Sequence, residues 1–292
     1  MTNETLAGLT AVVTGASSGV GAAAARRLAA LGASVVVVGR SAAGTRAVAD
    51  EIGGRPLLAD FTRFSEVHRL ADELIERVPR IDILANNAGL ISARRQITPD
   101  GHELTMQVNF LSPFLLTALL REKLAQAPAA RIINTSSSLY RYGKLDPDDL
   151  DGIRVRYGQM RAYNTAKLAS LVHAAELNRR GPATMSATAF HPGTVRSGLD
   201  RHSALVTAVK ATAIGRLVTQ SPDEGAEPLV RIATTDQADL RDVFYNRFKR
   251  EPLRHPAATD AAFGGRLWHR TTEITQAPVW HRPPNQARTG PN

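Results

Sequence analysis

Short apolar runs rich in β-branched residues alternate along this chain with longer stretches whose apolar positions recur at helical spacing. The first run, Leu9-Thr10-Ala11-Val12-Val13-Thr14, leads into Gly15, Gly19 and Gly21, then into Ala-rich sequence up to Leu31, closed by Gly32. That order predicts a buried strand, a tight turn and a helix ended by its glycine. Ser34 to Val38 is a second β-branched run, too short and too uniformly apolar for an amphipathic helix, so two parallel strands should flank the first helix. Further strands are expected at Pro56 to Ala59, Ile81 to Ala85, Arg131 to Thr135 and Ser186 to Phe190, with helices over 65–78, 103–125, 161–180 and 223–234. No linker-like Pro/Gly/Ser stretch interrupts the alternation, which predicts an α/β fold: a single doubly wound parallel sheet over residues 1–282. The end of the chain, 283–292, is rich in Pro, Gly, Asn and Arg and is expected to be a disordered tail.

Composition narrows the chemistry. Hydrophobic residues make up 43% and charged residues 22% of the 292, enough apolar material for a large core. The absence of cysteine removes disulfides, thiolate nucleophiles, iron-sulfur clusters and Cys-ligated zinc together. The eight histidines show no metal-ligand spacing, so no metal is expected. No leader pattern opens the chain and no stretch approaches the ~18 apolar residues of a membrane span. A cytoplasmic protein without a membrane anchor is the expectation. A net charge of +9 raises the question of nucleic acid. The cations are dispersed, with no run of five like charges and no nucleic-acid motif, so they read as solvated surface.

Between the first strand and helix stands Thr14-Gly15-Ala16-Ser17-Ser18-Gly19-Val20-Gly21. Its glycines are spaced three and then one apart, unlike the common dinucleotide fingerprint, but they serve the same physics. They let the backbone turn sharply and approach a pyrophosphate at a helix N-terminus. At the end of the second strand, where NAD binders place a carboxylate for the ribose, the chain reads Val38-Gly39-Arg40-Ser41. Nothing there repels a 2′-phosphate, Arg40 can pair with one and Ser41 can assist, so the expected cofactor is NADP(H) on a Rossmann fold.

With these residues the chain resembles the short-chain dehydrogenase/reductase family, whose motifs recur in order along it. Asp60 follows the third strand, Asn86-Asn87-Ala88-Gly89 the fourth, and Asn109 lies in Val108-Asn109-Phe110. Ser136-Ser137 ends the fifth strand, Tyr163-Asn164-Thr165-Ala166-Lys167 opens a helix, and Pro192-Gly193 follows the sixth strand. Tyr163 and Lys167 are four apart and share a helix face. A free phenol titrates near ~10, and lowering it by ~3 units takes about 4 kcal/mol, which a close ammonium and a positive nicotinamide ring can supply. Tyr163 would then donate a proton in ketone reduction or accept one in alcohol oxidation. The resemblance implies that Lys167 also holds the nicotinamide ribose, that Ser137 binds the substrate oxygen and that Asn109 anchors a relay water. It further implies that Asp60 contacts adenine, that Asn87, Ala88 and Gly89 border the cofactor, and that Pro192, Gly193, Thr194 and Val195 do so at its nicotinamide end. Ser137 is chosen among three consecutive serines because Ile133-Asn134-Thr135-Ser136-Ser137 matches the family pattern.

Tyr163 lies 26 residues after Ser137, about double the usual gap, so Leu139 to Arg161 holds a substrate-side insertion. With Thr98-Pro99-Asp100-Gly101-His102-Glu103, His191-Pro192-Gly193-Thr194-Val195 and the C-terminal extension at Ala262 to Trp268, it resembles the retinol-dehydrogenase-like branch. The chain lacks that branch's hydrophobic N-terminal anchor, which argues against a retinoid substrate. His191 reads as a packing or hydrogen-bonding residue. Residues 196–220 are expected to form an apolar lid over a lipophilic or aromatic carbonyl. The helices around Phe110 to Leu120 and Tyr163 to Leu177 resemble those that pair in a homodimer. Two other functions compete on this scaffold, a carbon-carbon double-bond reductase and a non-catalytic NADP-sensing regulator. The former lacks its cysteine proton donor here; the latter typically loses the Tyr or Lys that this chain keeps.

Overall fold

The computed structural model describes residues 5–195 and 220–280. The expected lid, save Gln220, and the expected tail 283–292 lie outside the described residues. Eight strands form one sheet in the order β3-β2-β1-β4-β5-β6-β7-β8. They are β1 (Thr10–Thr14), β2 (Ser34–Gly39), β3 (Arg55–Leu58), β4 (Ile83–Asn86), β5 (Ala130–Thr135), β6 (Met185–His191), β7 (Val243–Asn246) and β8 (Lys249–Pro252). All neighbours pair in parallel except β7 and β8. The doubly wound sheet is therefore as expected, with strand ends shifted by a residue or two.

The central strands β1, β2, β4, β5 and β6 are buried on both sides because helices cover both faces of the sheet. In β1, Val12 enters one core with Leu84 and Ile132, while Ala11 and Val13 enter the other with Val35 and Ile83. Helices α1 (Gly19–Ala30) and α2 (Ala42–Ile52) lie with the second core, α3 (Phe64–Arg77) with the first. The expected helix over 103–125 carries a π-helical turn and is interrupted once, at Leu120. It runs as α4 (Leu104–Met106), a π-helical turn at Gln107–Leu111, α5 (Ser112–Leu119) and α6 (Arg121–Ala125). The long helix α7 (Gln159–Arg180) follows the insertion, and α8 (Pro222–Thr234) begins in a capping box from Ser221 to Glu224.

The β7–β8 hairpin was not foreseen. Its two-residue turn is Arg247-Phe248, with Arg247 at φ 57°, so the Asn-Gly signal that marks such turns is absent. The chain closes with α9 (Pro256–Thr259) and α10 (Ala261–Thr275). Trp268 of α10 packs edge-on against Phe114 of α5 at 4.9 Å between ring centroids, and also contacts His173 of α7 and Trp280. The Arg180 guanidinium lies 4.9 Å from the Trp268 ring. The extension thus packs on part of the α5 and α7 helices that were expected to pair in a homodimer. Among the described residues, no helix is long and apolar enough to cross a membrane.

Candidate active site

At the carboxyl ends of the parallel strands, where the order reverses between β1 and β4, a cleft of about 510 Å³ opens. This switch point is where open α/β sheets bind ligands. Its floor is a knot made by Thr14, whose hydroxyl donates to Ala85 O (3.1 Å) and accepts from the backbone N–H of Asn87 (2.9 Å) and Ala88 (3.1 Å). The Asn87 amide returns the link by donating to Thr14 O at 3.0 Å. Gly15 follows at φ +66°, and a Cβ there would stand 2.7 Å from Ala88 Cα. Only glycine satisfies both the left-handed backbone and that approach. The turn then delivers Ser17, Ser18, Gly19, Val20 and Gly21 to the cleft at the start of α1, whose free N–H groups favour an anion.

Arg40 and Ser41 line the same cleft at the end of β2, both exposed to solvent. Ser41 caps α2 by accepting from Gly44 N–H at 3.3 Å. A phosphate at Arg40 would therefore also face the N-terminus of α2. Asp60 lies across from them and closes a local turn to Thr62 N–H at 3.0 Å.

The other end of the cleft holds the candidate reacting groups. Tyr163 and Lys167 emerge from the first turns of α7, with Lys167 Nζ 5.6 Å from the centre of the Tyr163 ring. Lys167 is only 2% exposed and donates to Thr135 O at 2.8 Å. Burial pulls its ammonium down to about 7. The three consecutive serines differ in their commitments. Ser136 spends its hydroxyl on Lys167 O (2.8 Å), whereas Ser137 accepts from Leu139 N–H (3.2 Å) and keeps its own proton for another acceptor. Asn109 alone among the expected site residues does not line the cleft; it sits behind it in the π-helical turn. Its amide donates to Leu90 O (2.8 Å) and Thr105 O (2.7 Å), and its Oδ1 is buried with no partner among the described residues. Asn109 Oδ1 packs closely on Gly89, where a Cβ would lie 2.6 Å from it and 3.4 Å from Lys167 Nζ, so a side chain at this position would strike the amide. The π turn also frees Asn109 O, which accepts from Ser170 on α7 (3.1 Å) and ties the two helices together.

Pro192, Gly193, Thr194 and Val195 complete the rim after β6. Thr194 O accepts from Gln220 N–H at 2.8 Å, closing the ends of the undescribed segment. The Gln220 amide, oriented by its surroundings, donates to Pro192 O at 3.0 Å and accepts from Arg247. His191 also faces the cleft, with a buried, unpartnered Nδ1. Burial, helped by Arg247 and Arg141, lowers it to about 4, so it stands neutral at physiological pH. Thr14 carries a role that sequence alone did not assign, and His191, expected to pack or hydrogen-bond, leaves Nδ1 without a hydrogen-bond partner among the described residues. A strand-end threonine and a loop imidazole reveal nothing until their neighbours are in place.

A Gly-built turn, a cation at the second strand and a Tyr/Lys pair beside a free serine hydroxyl in one switch-point cleft define a nicotinamide-type oxidoreductase architecture. The profile of the short chain dehydrogenase family matches residues 9–205, and the chain belongs to that family. It is similar to a Streptomyces sp. (strain C5) protein named "Putative daunorubicin C-13 ketoreductase DnrU", 40% identical over 90% of this chain and 91% of that one. Retinol dehydrogenase 13 of Homo sapiens is 32% identical over 92% of this chain and 85% of its own. Among solved structures, an uncharacterized Mycobacterium Paratuberculosis protein is 31% identical, with TM-score 0.76 and 96% of each chain covered. A Shigella flexneri short chain dehydrogenase complexed with NADP shares the fold at TM-score 0.65 and 23% identity, over 85% of this chain and all of the other. The chain is thus an oxidoreductase on the retinol-dehydrogenase-like side of its family.

Proposed function

We propose that the protein is an NADP(H)-dependent reductase of a ketone or aldehyde on a lipophilic or aromatic small molecule, acting in the cytoplasm, with the reverse alcohol oxidation open to it. The observation that carries this reading is the convergence of Tyr163, Lys167 and the Ser137 hydroxyl on the cleft that the glycine turn also lines. The residues fit the cofactor. The Gly15 turn and the α1 N-terminus suit a pyrophosphate, Arg40 with the α2 N-terminus suits a 2′-phosphate, and Asn109 Oδ1 awaits a donor.

Bound there, the nicotinamide supplies the hydride. Ser137 donates its hydrogen bond to the carbonyl oxygen and fixes it beside Tyr163. Tyr163 delivers the proton to that oxygen as negative charge builds on it. Lys167, charged below about 7 and held by Thr135 O, stabilises the phenolate left on Tyr163 and orients the ribose. Asn109, braced by Leu90 O and Thr105 O, holds a relay water through Oδ1, and Gly89 lets that amide approach without a side-chain clash. The name of the Streptomyces relative supports the carbonyl-reducing direction and the C-13 ketone of daunorubicin as the first substrate to try. A homodimer would have to use surface that α10 leaves uncovered. No feature of the cleft favours the double-bond reductase or the non-catalytic regulator.

The test is a panel of aromatic and aliphatic carbonyls with NADPH and NADH. Wild type should prefer NADPH, and Arg40→Asp should cut that preference by about tenfold or more, the worth of one charge-assisted contact plus a new repulsion. Unchanged preference in Arg40→Asp would remove the NADP assignment.

A further inference from the structure

The turn of the β7–β8 hairpin carries an arginine where backbone geometry favours glycine or asparagine. Arg247 stands at φ 57°, in the left-handed region that a long side chain adopts only at a cost. Strain held in this way points to a task for the side chain. Pairing of His191 with Asn246 sets Arg247 beside the end of β6, where its backbone N–H donates to His191 O at 3.1 Å. The guanidinium turns toward the same place. Its Nε donates to the Gln220 amide oxygen at 3.1 Å, Nη2 also reaches that oxygen, and its charge helps to keep His191 neutral.

Gln220 passes this contact to the cleft rim. The amide so held donates from its nitrogen to Pro192 O at 3.0 Å, while the Gln220 backbone N–H donates to Thr194 O at 2.8 Å. Between those two carbonyls lies Gly193, at φ 92°, and the amide packs so closely on it that a Cβ there would collide with the Gln220 side chain. Glycine is the freest link in a backbone, so an amide laid flush against it restricts the rim where it would otherwise turn most easily. Pro192, Gly193 and Thr194 line the cleft; Arg247 and Gln220 do not. The two outer residues can therefore act on a bound molecule only through the rim they hold.

We propose that Arg247 is a positioning residue for the nicotinamide end of the cleft: by orienting the Gln220 amide, it fixes the Pro192–Thr194 backbone against which the ring is held. The inference rests on reading this cleft as the dinucleotide site, and it applies to NADH as it does to NADPH.

Isothermal titration of the full-length protein with NADPH and NADH, and with their ring-free counterparts 2′-phospho-ADP-ribose and ADP-ribose, tests it. Arg247→Gly suits the left-handed turn, so it keeps the hairpin and deletes the brace. It should weaken binding of each dinucleotide that wild type takes up by about tenfold, the order of one hydrogen bond lost, and leave the ring-free nucleotides unchanged. Gln220→Leu removes the next link and should give the same pattern. The double variant should bind no more weakly than either single one, because the two residues act in series. Unchanged dinucleotide affinity in Arg247→Gly, losses of equal size for the ring-free nucleotides, or additive losses in the double variant would each overturn the proposal. Tighter binding of NADH than of NADPH by wild type would remove the 2′-phosphate reading alone, with the brace then decided by the NADH and ADP-ribose pair. A wild type that binds neither dinucleotide would sink both readings.

Discussion

Along one face of α7, Tyr163 and Lys167 reach the nucleotide cleft; another side of the helix meets α10. The inner face buries an ammonium whose charged form is disfavoured by the loss of water. Toward α10, α7 contributes His173 to a cluster of Phe114, Trp268 and Trp280, and burial lowers this histidine to about 3, so it packs as a neutral ring. The same 22-residue helix therefore gives up stability on one side for a poised cation and recovers it on another by aromatic packing. Function and stability should separate cleanly when each face is changed alone.

The largest effect is expected at Lys167. Lys167→Met should lower kcat/KM by about 10³-fold, in keeping with loss of an electrostatic and positioning group, yet leave the fold intact or firmer. A parallel fall in thermal stability would break the contrast. Next comes Trp268→Ala, expected to cost about 3–5 kcal/mol of folding stability from loss of a large buried ring. Measured below its melting transition, this variant should bind NADPH as wild type does; lost cofactor affinity would show that the two faces are coupled. A subtler effect lies in pH. Lys167 titrates near 7 when folded and near ~10.4 when unfolded, so between those values the unfolded chain binds more protons and stability without cofactor should rise with pH. The gain is at most about 5 kcal/mol, is absent below the folded value, and should flatten in Lys167→Met. Denaturant titrations of both proteins at pH 6.5 and 9.5 would measure it.

Much of this arrangement is legible in the chain because local rules and tertiary demands coincide. β-branched runs mark β1, β2 and β5, each covered on both faces, and glycine punctuation marks the turn where a Cβ would strike Ala88. The Tyr163/Lys167 pair is legible through the ordered set of family motifs around it; spacing adds that four residues return to the same helix face. What escaped depends on partners distant in sequence. The β7–β8 hairpin lacks a turn signal and is held by pairing to β6. The π turn that seats Asn109 leaves no mark in Gln107 to Leu111. Trp268 reads as any apolar helix position until Phe114, 154 residues earlier in the chain, is placed against it. Neutral His191 is likewise a product of enclosure, not of sequence pattern.

The central claim is that Tyr163 moves the proton. Tyr163→Phe removes one oxygen and keeps the ring beside Lys167, so NADPH-dependent turnover of a ketone that wild type reduces, measured alongside NADPH binding, addresses it directly. Turnover should fall by about 10²–10⁴-fold, the usual worth of a positioned acid, with NADPH affinity unchanged. Turnover equal to wild type would contradict the assignment.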